Sequence, residues 1–302
     1  MSGQIVKPVI RPHQRGRYRD AFQTMFAAAT LLFVPGSRPD RFDKAKDAGA
    51  DLTIIDLEDS VADGDKETAR EAALNRIGDT TDGWAIRINA PVTKAGIRDL
   101  AALIEADTLP STILVPMVEA RAHIEIVAGV LGEDCPDLVA LVETPRGLRH
   151  AVEIANHPRI VAMMFGGADF AGELGVELAW EPLFAARAQF VLACAETGKA
   201  AIDVPFVSLD DEAGLKEECE RARAIGFGGK AAIHPRQLPA IRNTFMPSDG
   251  EVAEAREALA AYEDAGRKAI RHKGRMLEAP FIRKYRAVVE RAERTDQEQR
   301  NA

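Results

Sequence analysis

The sequence predicts a closed (β/α)8 TIM barrel followed by a C-terminal helical extension. Three observations predict it. From residue 30 onward, short β-branched runs alternate with longer stretches of helical period. The short runs are apolar on both faces, as parallel strands covered by helices must be. Eight such strand–helix pairs fit into roughly 210 residues, a size that suits a closed α/β barrel.

The first strand reads TLLFVPG (30–36) and is followed by the helical pattern DRFDKAKDAGA (40–50). The second, DLTIIDLED (51–59), precedes KETAREAALNRI (66–77). The third, WAIRINA (84–90), leads into GIRDLAALIEA (96–106). The fourth, TILVPMVE (112–119), is followed by ARAHIEIVAGVLG (120–132). The fifth and sixth are DLVALVET (137–144) and IVAMMFGGAD (160–169), with PLFAARAQFVLACAETG (182–198) as the next long helix. The seventh, AAIDVPF (200–206), precedes DEAGLKEECERARAIG (211–226), and KAAIHP (230–235) is the eighth. An open doubly wound sheet is the structural alternative, but it usually carries a phosphate fingerprint after its first strand. VPGSRPDRF (34–42) has one glycine, and AIGFGGKAAI (224–233) fails as a P-loop because Ala224 and Ala231 stand where glycine and Ser/Thr are needed.

Three segments result: a polar N-terminal arm (1–29), a barrel (30–246) and a helical lid or oligomerisation segment (247–302). The last contains two helical patterns, 251–267 and 281–294, joined by KAIRHKGRMLEAP (268–280).

The composition, 46% hydrophobic and 28% charged, is that of an ordinary globular protein. A formal net charge of -8 argues against nucleic acid as a partner. No apolar run approaches the ~18 residues of a membrane span. The basic N-terminus lacks the apolar stretch of a signal peptide and the amphipathic pattern of a transit peptide. Cys135, Cys194 and Cys219 are odd in number and widely spaced. They read as free thiols in a cytoplasmic protein, with Cys194 and Cys219 buried in helices.

Barrel enzymes place their chemistry at the C-terminal ends of strands. There the sequence offers Asp56, Glu58 and Asp59 after the second strand, Arg87 on the third, Glu143 after the fifth, Asp169 after the sixth and His234 after the eighth. Glu143 and Asp169 come from adjacent strands and can converge on one Mg2+, which takes a few carboxylate oxygens and fills its octahedron with water and substrate. Gly166 and Gly167, without Cβ atoms, would let a ligand approach closely. Asp56, Glu58 and Asp59 either orient water around the ion from a second layer or cap the next helix and pair with Lys66. Arg87, within an apolar strand, must meet an anion: Glu58, Asp59 or a substrate carboxylate. Substrate contact is the reading adopted. His234, before Pro235, reads as structural rather than catalytic.

The stretches 31–61, IRIN (86–89), ALVETPRGL (140–148), MFGGADFAGELG (164–175) and GFGGKAAIHPRQL (226–238) resemble the HpcH/HpaI aldolase and citrate lyase beta-subunit superfamily. The likeness is closer to citrate lyase beta-like proteins and malyl- or citramalyl-CoA lyases, and it spans about residues 31–290. It implies a barrel that binds Mg2+ and assembles as trimers or hexamers. By motif, it implies Glu143 and Asp169 as metal ligands, with Glu143 also at the substrate, and Arg87 as the arginine for the substrate carboxylate. The sequence departs from the family in three places. AAAT (27–30) stands where basic residues are usual, and Met117 where lysine is frequent. Glu278, in GRMLEAP (274–280), stands where the family carries an aspartate that acts in a neighbouring subunit's site.

The resulting expectation is a Mg2+-dependent carbon–carbon lyase. It would cleave a carboxylate-bearing 3-hydroxyacyl thioester, with an acyl-CoA as the expected partner, to an acetyl thioester and a small oxo acid. Arg87 and Glu278 would be catalytic. Two alternatives remain: a metal-dependent 2-oxo-acid aldolase that needs no CoA, which Met117 and the absent basic lead-in favour, and a non-catalytic subunit that binds a small acid.

Overall fold

The computed structural model describes residues 28–79 and 83–301. The expected N-terminal arm lies outside the described residues up to position 27. Eight parallel strands close into a barrel in sequential order: β1 (Thr30–Pro35), β2 (Leu52–Asp56), β3 (Trp84–Arg87), β4 (Thr112–Val115), β5 (Asp137–Val142), β6 (Ile160–Phe165), β7 (Ala200–Asp203) and β8 (Gly229–Ala232). β8 pairs with β1, Leu31 opposite Ala231, and closes the ring.

The residues sort into two buried layers because side chains alternate along a strand. Leu31, Ile54, Ala85, Leu114, Leu141, Met164 and Ile202 fill the inside of the barrel. Leu32, Ile55, Ile86, Val115, Val142 and Phe165 face outward and pack under the helices.

Those helices are α1 (Phe42–Asp47), α2 (Lys66–Asp79), α3 (Lys94–Glu105), α4 (Arg121–Leu131), α5 (Pro145–Arg149), α6 (Ala151–Ala155), α7 (Gly167–Leu174), α8 (Trp180–Thr197), α9 (Glu212–Ile225) and α10 (Leu238–Phe245). Side-chain caps start several of them: Thr93 accepts from Gly96 N, Thr144 from Gly147 N and Asp211 from Gly214 N.

Outside the barrel come α11 (Asp249–Asp264) and α12 (Ala279–Asn301). Ser248 and Glu251 form a capping box at the start of α11. The stretch between these helices is a small antiparallel hairpin, β9 (Ile270–His272) and β10 (Arg275–Leu277). Its two turn residues, Lys273 and Gly274, both have positive φ, at 45° and 80°. That is the turn hand that fits strand twist. Leu277 and Ile282 are buried and anchor the segment.

The three cysteines are free and buried. Burial pushes the Cys219 thiol up to about 12 and also raises Cys194, as expected for inert packing thiols. No helix among the described residues is long and apolar enough to cross a membrane.

Candidate active site

The C-terminal ends of the strands surround a cavity of about 430 Å3. Its polar lining includes Asp56, Asp59, Arg87, Glu143 and Asp169. Its apolar lining includes Leu178, Val204, Pro205, Val207 and Ile233. Sequence reasoning selected the polar lining and missed the apolar one, because those residues come from loops without a chemical signature.

Asp56 and Arg87 are register partners on β2 and β3, so their side chains stand next to each other. The guanidinium grips Asp56 with two parallel bonds, Nε to Oδ1 and Nη2 to Oδ2, both 2.7 Å. Nη1 reaches Asp59 Oδ2 at 3.2 Å and lies 2.8 Å from Glu58 Oε2. The contact to Glu58 is a close approach without an aligned hydrogen bond, since Oε2 is buried with no hydrogen-bond partner. Both carboxyl groups of the chain that the sequence offered to Arg87, Glu58 and Asp59, therefore approach it, with Asp56 as a third and stronger partner. Asp56 also accepts from the backbone of Glu58 and Ser60. The anticipated pairing with Lys66 does not form: Lys66 Nζ donates to the carbonyls of Leu57 and Glu58 and to Asn89.

Burial works against the charge on Asp56, but the bonds and charge of Arg87 outweigh it and hold its carboxyl below the ordinary value. Burial likewise opposes the guanidinium, and Asp56, Glu58 and Asp59 reverse that. For Glu58, burial dominates and pushes its carboxyl up to about 9, reinforced by the charges of Glu143, Asp59 and Asp56 and only partly opposed by Arg87.

Glu143 follows β5 directly and is 3% exposed. Its Oε2 accepts from the backbone N–H of Met117 at 2.6 Å. Met117 has φ of 52°, a left-handed conformation that is uncommon outside glycine, Asn and Asp. The position that departs from the family pattern thus contributes its main chain to the site.

Two expectations around Asp169 need correction. The residue does not end a strand: β6 stops at Phe165, and Asp169 lies in the first turn of α7. A carboxylate there is favoured by the helix dipole. Gly166 is also small for a different reason than ligand approach. Val142 pairs with Phe165, so Gly166 comes beside Glu143, and a Cβ there would fall 2.1 Å from Glu143 Cγ. At Gly167 the neighbours of a Cβ would be Val204, Leu178 and Phe165. The two glycines therefore make room for the protein's own side chains.

The donor set suits a hard divalent ion. Burial pushes Glu143 up to about 7, with Asp169 and Asp59 adding to it while the Met117 amide and Arg87 oppose it. Burial and the Asp59 charge raise Asp169, against Arg87. A cation between the two carboxylates would relieve that repulsion. Among the described residues no group of three or more His, Cys, Asp or Glu side chains forms a cage for a metal. Two carboxylates with open positions match Mg2+, which keeps waters and binds substrate oxygens.

Two other candidates lie away from the cavity's chemistry. His234 is exposed and caps a short turn, its Nδ1 accepting from Arg236 N while Gln237 bonds back. Glu278 is exposed, follows β10 and does not line the cavity of its own chain.

A closed (β/α)8 barrel whose C-terminal face gathers Arg87, Glu143 and Asp169 around one cavity has the architecture of a barrel enzyme. The HpcH/HpaI aldolase/citrate lyase family model matches residues 29–235, and the chain belongs to that family. A (3S)-malyl-CoA thioesterase of Cereibacter sphaeroides is 38% identical over 244 residues, 79% of this chain and 84% of that protein. An L-malyl-CoA/beta-methylmalyl-CoA lyase of the same species is 34% identical over 299 residues, 87% of this chain and 93% of that protein. Among solved structures, the protein CitE of Mycobacterium tuberculosis in complex with magnesium, acetoacetate and coenzyme A superposes with a TM-score of 0.76. It is 35% identical, covering 89% of this chain and 99% of that one.

Proposed function

We propose that this chain is a Mg2+-dependent carbon–carbon lyase that cleaves, or in reverse condenses, a carboxylate-bearing 3-hydroxyacyl-CoA. The single observation that carries this reading is that Glu143, Asp169 and Arg87 line one cavity. The named activities of the relatives favour a CoA thioester over a free acid.

Glu143 and Asp169 would hold the ion. When bound, Mg2+ supplies Lewis-acid stabilisation of negative charge on substrate oxygens. Arg87 receives a substrate carboxylate or the enolate oxygen that develops in the transition state. Asp56, Glu58 and Asp59 fix the guanidinium for that task. In the cleavage direction the substrate hydroxyl gives its proton to the acid/base, the role proposed below for Glu278, and becomes a carbonyl. The carbon–carbon bond breaks, and its electron pair passes into the thioester enolate. Protonation of the enolate carbon yields the acetyl thioester, and the other product is an oxo acid such as glyoxylate, pyruvate or oxaloacetate. The apolar lining of the cavity suits the carbon chain of the thioester.

In this reading the protein acts in the cytoplasm as a homo-oligomer, a trimer or hexamer. Glu278 serves a neighbouring subunit as the acid/base that moves the proton to carbon. Its exposure and its place between the hairpin and α12 support that role.

The test is calorimetric Mg2+ binding combined with retro-aldol assays on malyl-CoA and on free hydroxy acids. Glu143→Gln and Asp169→Asn should each weaken Mg2+ at least tenfold (a loss of about 1.4 kcal/mol or more) and abolish cleavage. Full activity in either variant would overturn the metal assignment. Cleavage of free acids alone would identify a CoA-independent aldolase, and absence of Mg2+ binding by the parent would identify a non-catalytic subunit.

A further inference from the structure

Behind the Arg87 cluster runs a second polar chain that no step above uses. Arg70 on α2 donates from Nε to Asp99 Oδ1 at 2.8 Å. Asp99 Oδ2 accepts from both the backbone N and the Nδ2 of Asn89, each at 2.7 Å. Asn89 Nδ2 also donates to the carbonyl of Leu57 at 2.9 Å. Asn89 Oδ1 accepts from Lys66 Nζ at 2.7 Å. Lys66 completes its three donations with the carbonyls of Leu57, at 3.1 Å, and Glu58, at 3.0 Å. Arg70, Asp99 and Asn89 are buried.

Leu57 is the joint of this arrangement. Its N–H donates to the carbonyl of Arg87 at 2.9 Å, while its own carbonyl takes Lys66 and Asn89. The peptide is thereby pinned to β3 on one side and, on the other, to α2 through Lys66 and to Asn89, two residues beyond β3, which Asp99 of α3 holds in turn. Asp56 immediately precedes it, and Glu58 and Asp59 follow. These three are the partners of Arg87.

Helix formation does not explain Lys66. It is the first residue of α2, where the helix dipole disfavours a cation. Drawing its ammonium out of water also costs hydration. Both costs fall on a side chain that spends two of its three donations on the loop carrying the three carboxylates and the third on Asn89, which itself bonds that loop at Leu57.

We propose that Lys66 is a positioning residue for recognition of the substrate carboxylate: with Asn89 it clamps the Leu57 and Glu58 carbonyls, and so fixes the carboxylates that aim Arg87 into the cavity. The proposal rests on the reading that Arg87 receives a substrate carboxylate. Lys66 itself touches no ligand.

The experiment uses the full chain and two titrations, Mg2+ alone and then fresh oxaloacetate at saturating Mg2+, with thermal unfolding in parallel. Lys66→Met removes all three donations and keeps the stem. It should bind Mg2+ within twofold of the parent and oxaloacetate at least fivefold more weakly. Lys66→Arg, which keeps charge and donors, should recover oxaloacetate affinity to within twofold. Ile241→Ala, a core truncation on the distant α10, should destabilise the protein yet leave oxaloacetate affinity unchanged. A folded Lys66→Met variant with parental oxaloacetate affinity would overturn the clamp, as would an equal loss in Ile241→Ala. If the methionine variant does not fold, Lys66→Gln, which removes the charge and is too short to make all three donations, answers the same question by the same criterion. Arg87→Lys separates the two ideas: if it leaves oxaloacetate binding intact, the substrate role of Arg87 fails, whereas a loss there without one in Lys66→Met defeats only the clamp.

Discussion

Gly166→Ala tests the packing logic of the site most directly. The backbone at Gly166 has φ of -91°, outside the left-handed region, so the substitution does not require a positive-φ alanine. The new methyl group would lie 2.1 Å from Glu143 Cγ, 2.7 Å from Oε1 and 2.8 Å from Cδ. Carbon atoms rest at about 3.5 Å or more, so Glu143 must give way by about 1.4 Å. It has little room to do so, since it is buried and its Oε2 is tied to Met117 N. Overpacking of this kind costs about 1–3 kcal/mol of stability. A displacement of about 1 Å at a reacting site costs about a hundredfold in rate. The expected result is a folded protein with a lowered melting temperature, Mg2+ affinity reduced at least tenfold and turnover reduced about a hundredfold. Gly172→Ala is the control: it lies in the same helix as Asp169, and a Cβ there meets nothing within 4 Å. That variant should keep full activity. Circular dichroism, calorimetry and a coupled lyase assay read all three quantities. Parental Mg2+ affinity in Gly166→Ala would refute the claim that this glycine exists to seat Glu143.

Arg87→Lys should remain folded but lose roughly 2 kcal/mol of transition-state binding, because lysine keeps the charge and loses the two-pronged geometry. Values of kcat/KM within a factor of two of the parent would leave Arg87 as an ion-pair partner only. Away from the cavity, Lys230 Nζ is buried against Asp203 and Glu218 at 2.6 Å each, and Asp203 also holds Arg187 at 3.0 Å. Lys230→Met leaves those acids short of a cation and should cost about 3–5 kcal/mol in denaturant unfolding. For Asp203, burial is outweighed by Lys230 and Arg187, so its folded carboxyl is held below the ordinary value. Its share of stability is complete above about pH 4 and is lost as the pH falls through the lowered value. Unfolding curves of Asp203→Asn should accordingly lose that part of their acid dependence, and an unchanged acid limb would contradict it. Glu278→Ala should lower turnover by about 10²–10⁴ while Mg2+ affinity holds. Mixed oligomers with Asp169→Asn should regain activity that neither variant has alone. No recovery after demonstrated subunit exchange would remove Glu278 from the neighbour's site.

The barrel was legible in the sequence because its signals are local and repeated. Runs such as DLTIIDLED and DLVALVET can bury both faces only between helices and a filled interior, and β2 and β5 do so. Strand ends then had to point to one face, which is why Asp56, Arg87, Glu143 and Asp169 were visible as a group before any coordinates. The hairpin at 270–277 was not legible, because its Lys273–Gly274 turn lacks the Asn-Gly signal and its strands are three residues long.

Sequence alone determined the fold, the family resemblance and the charged residues at the cavity. Only the tertiary structure decided how those residues share their partners. It gave Arg87 three carboxylates rather than one, with Asp56 as the bidentate one, and moved Lys66 from the carboxylates to two backbone carbonyls. It turned Met117 to donate its amide to Glu143, and made Gly166 a seat for that glutamate. Periodicity and spacing are properties of neighbouring residues along the chain and survive in the sequence. Hydrogen bonds across 23, 26 or 31 positions depend on strand register and on distances of a few tenths of an ångström, which exist only once the barrel has closed.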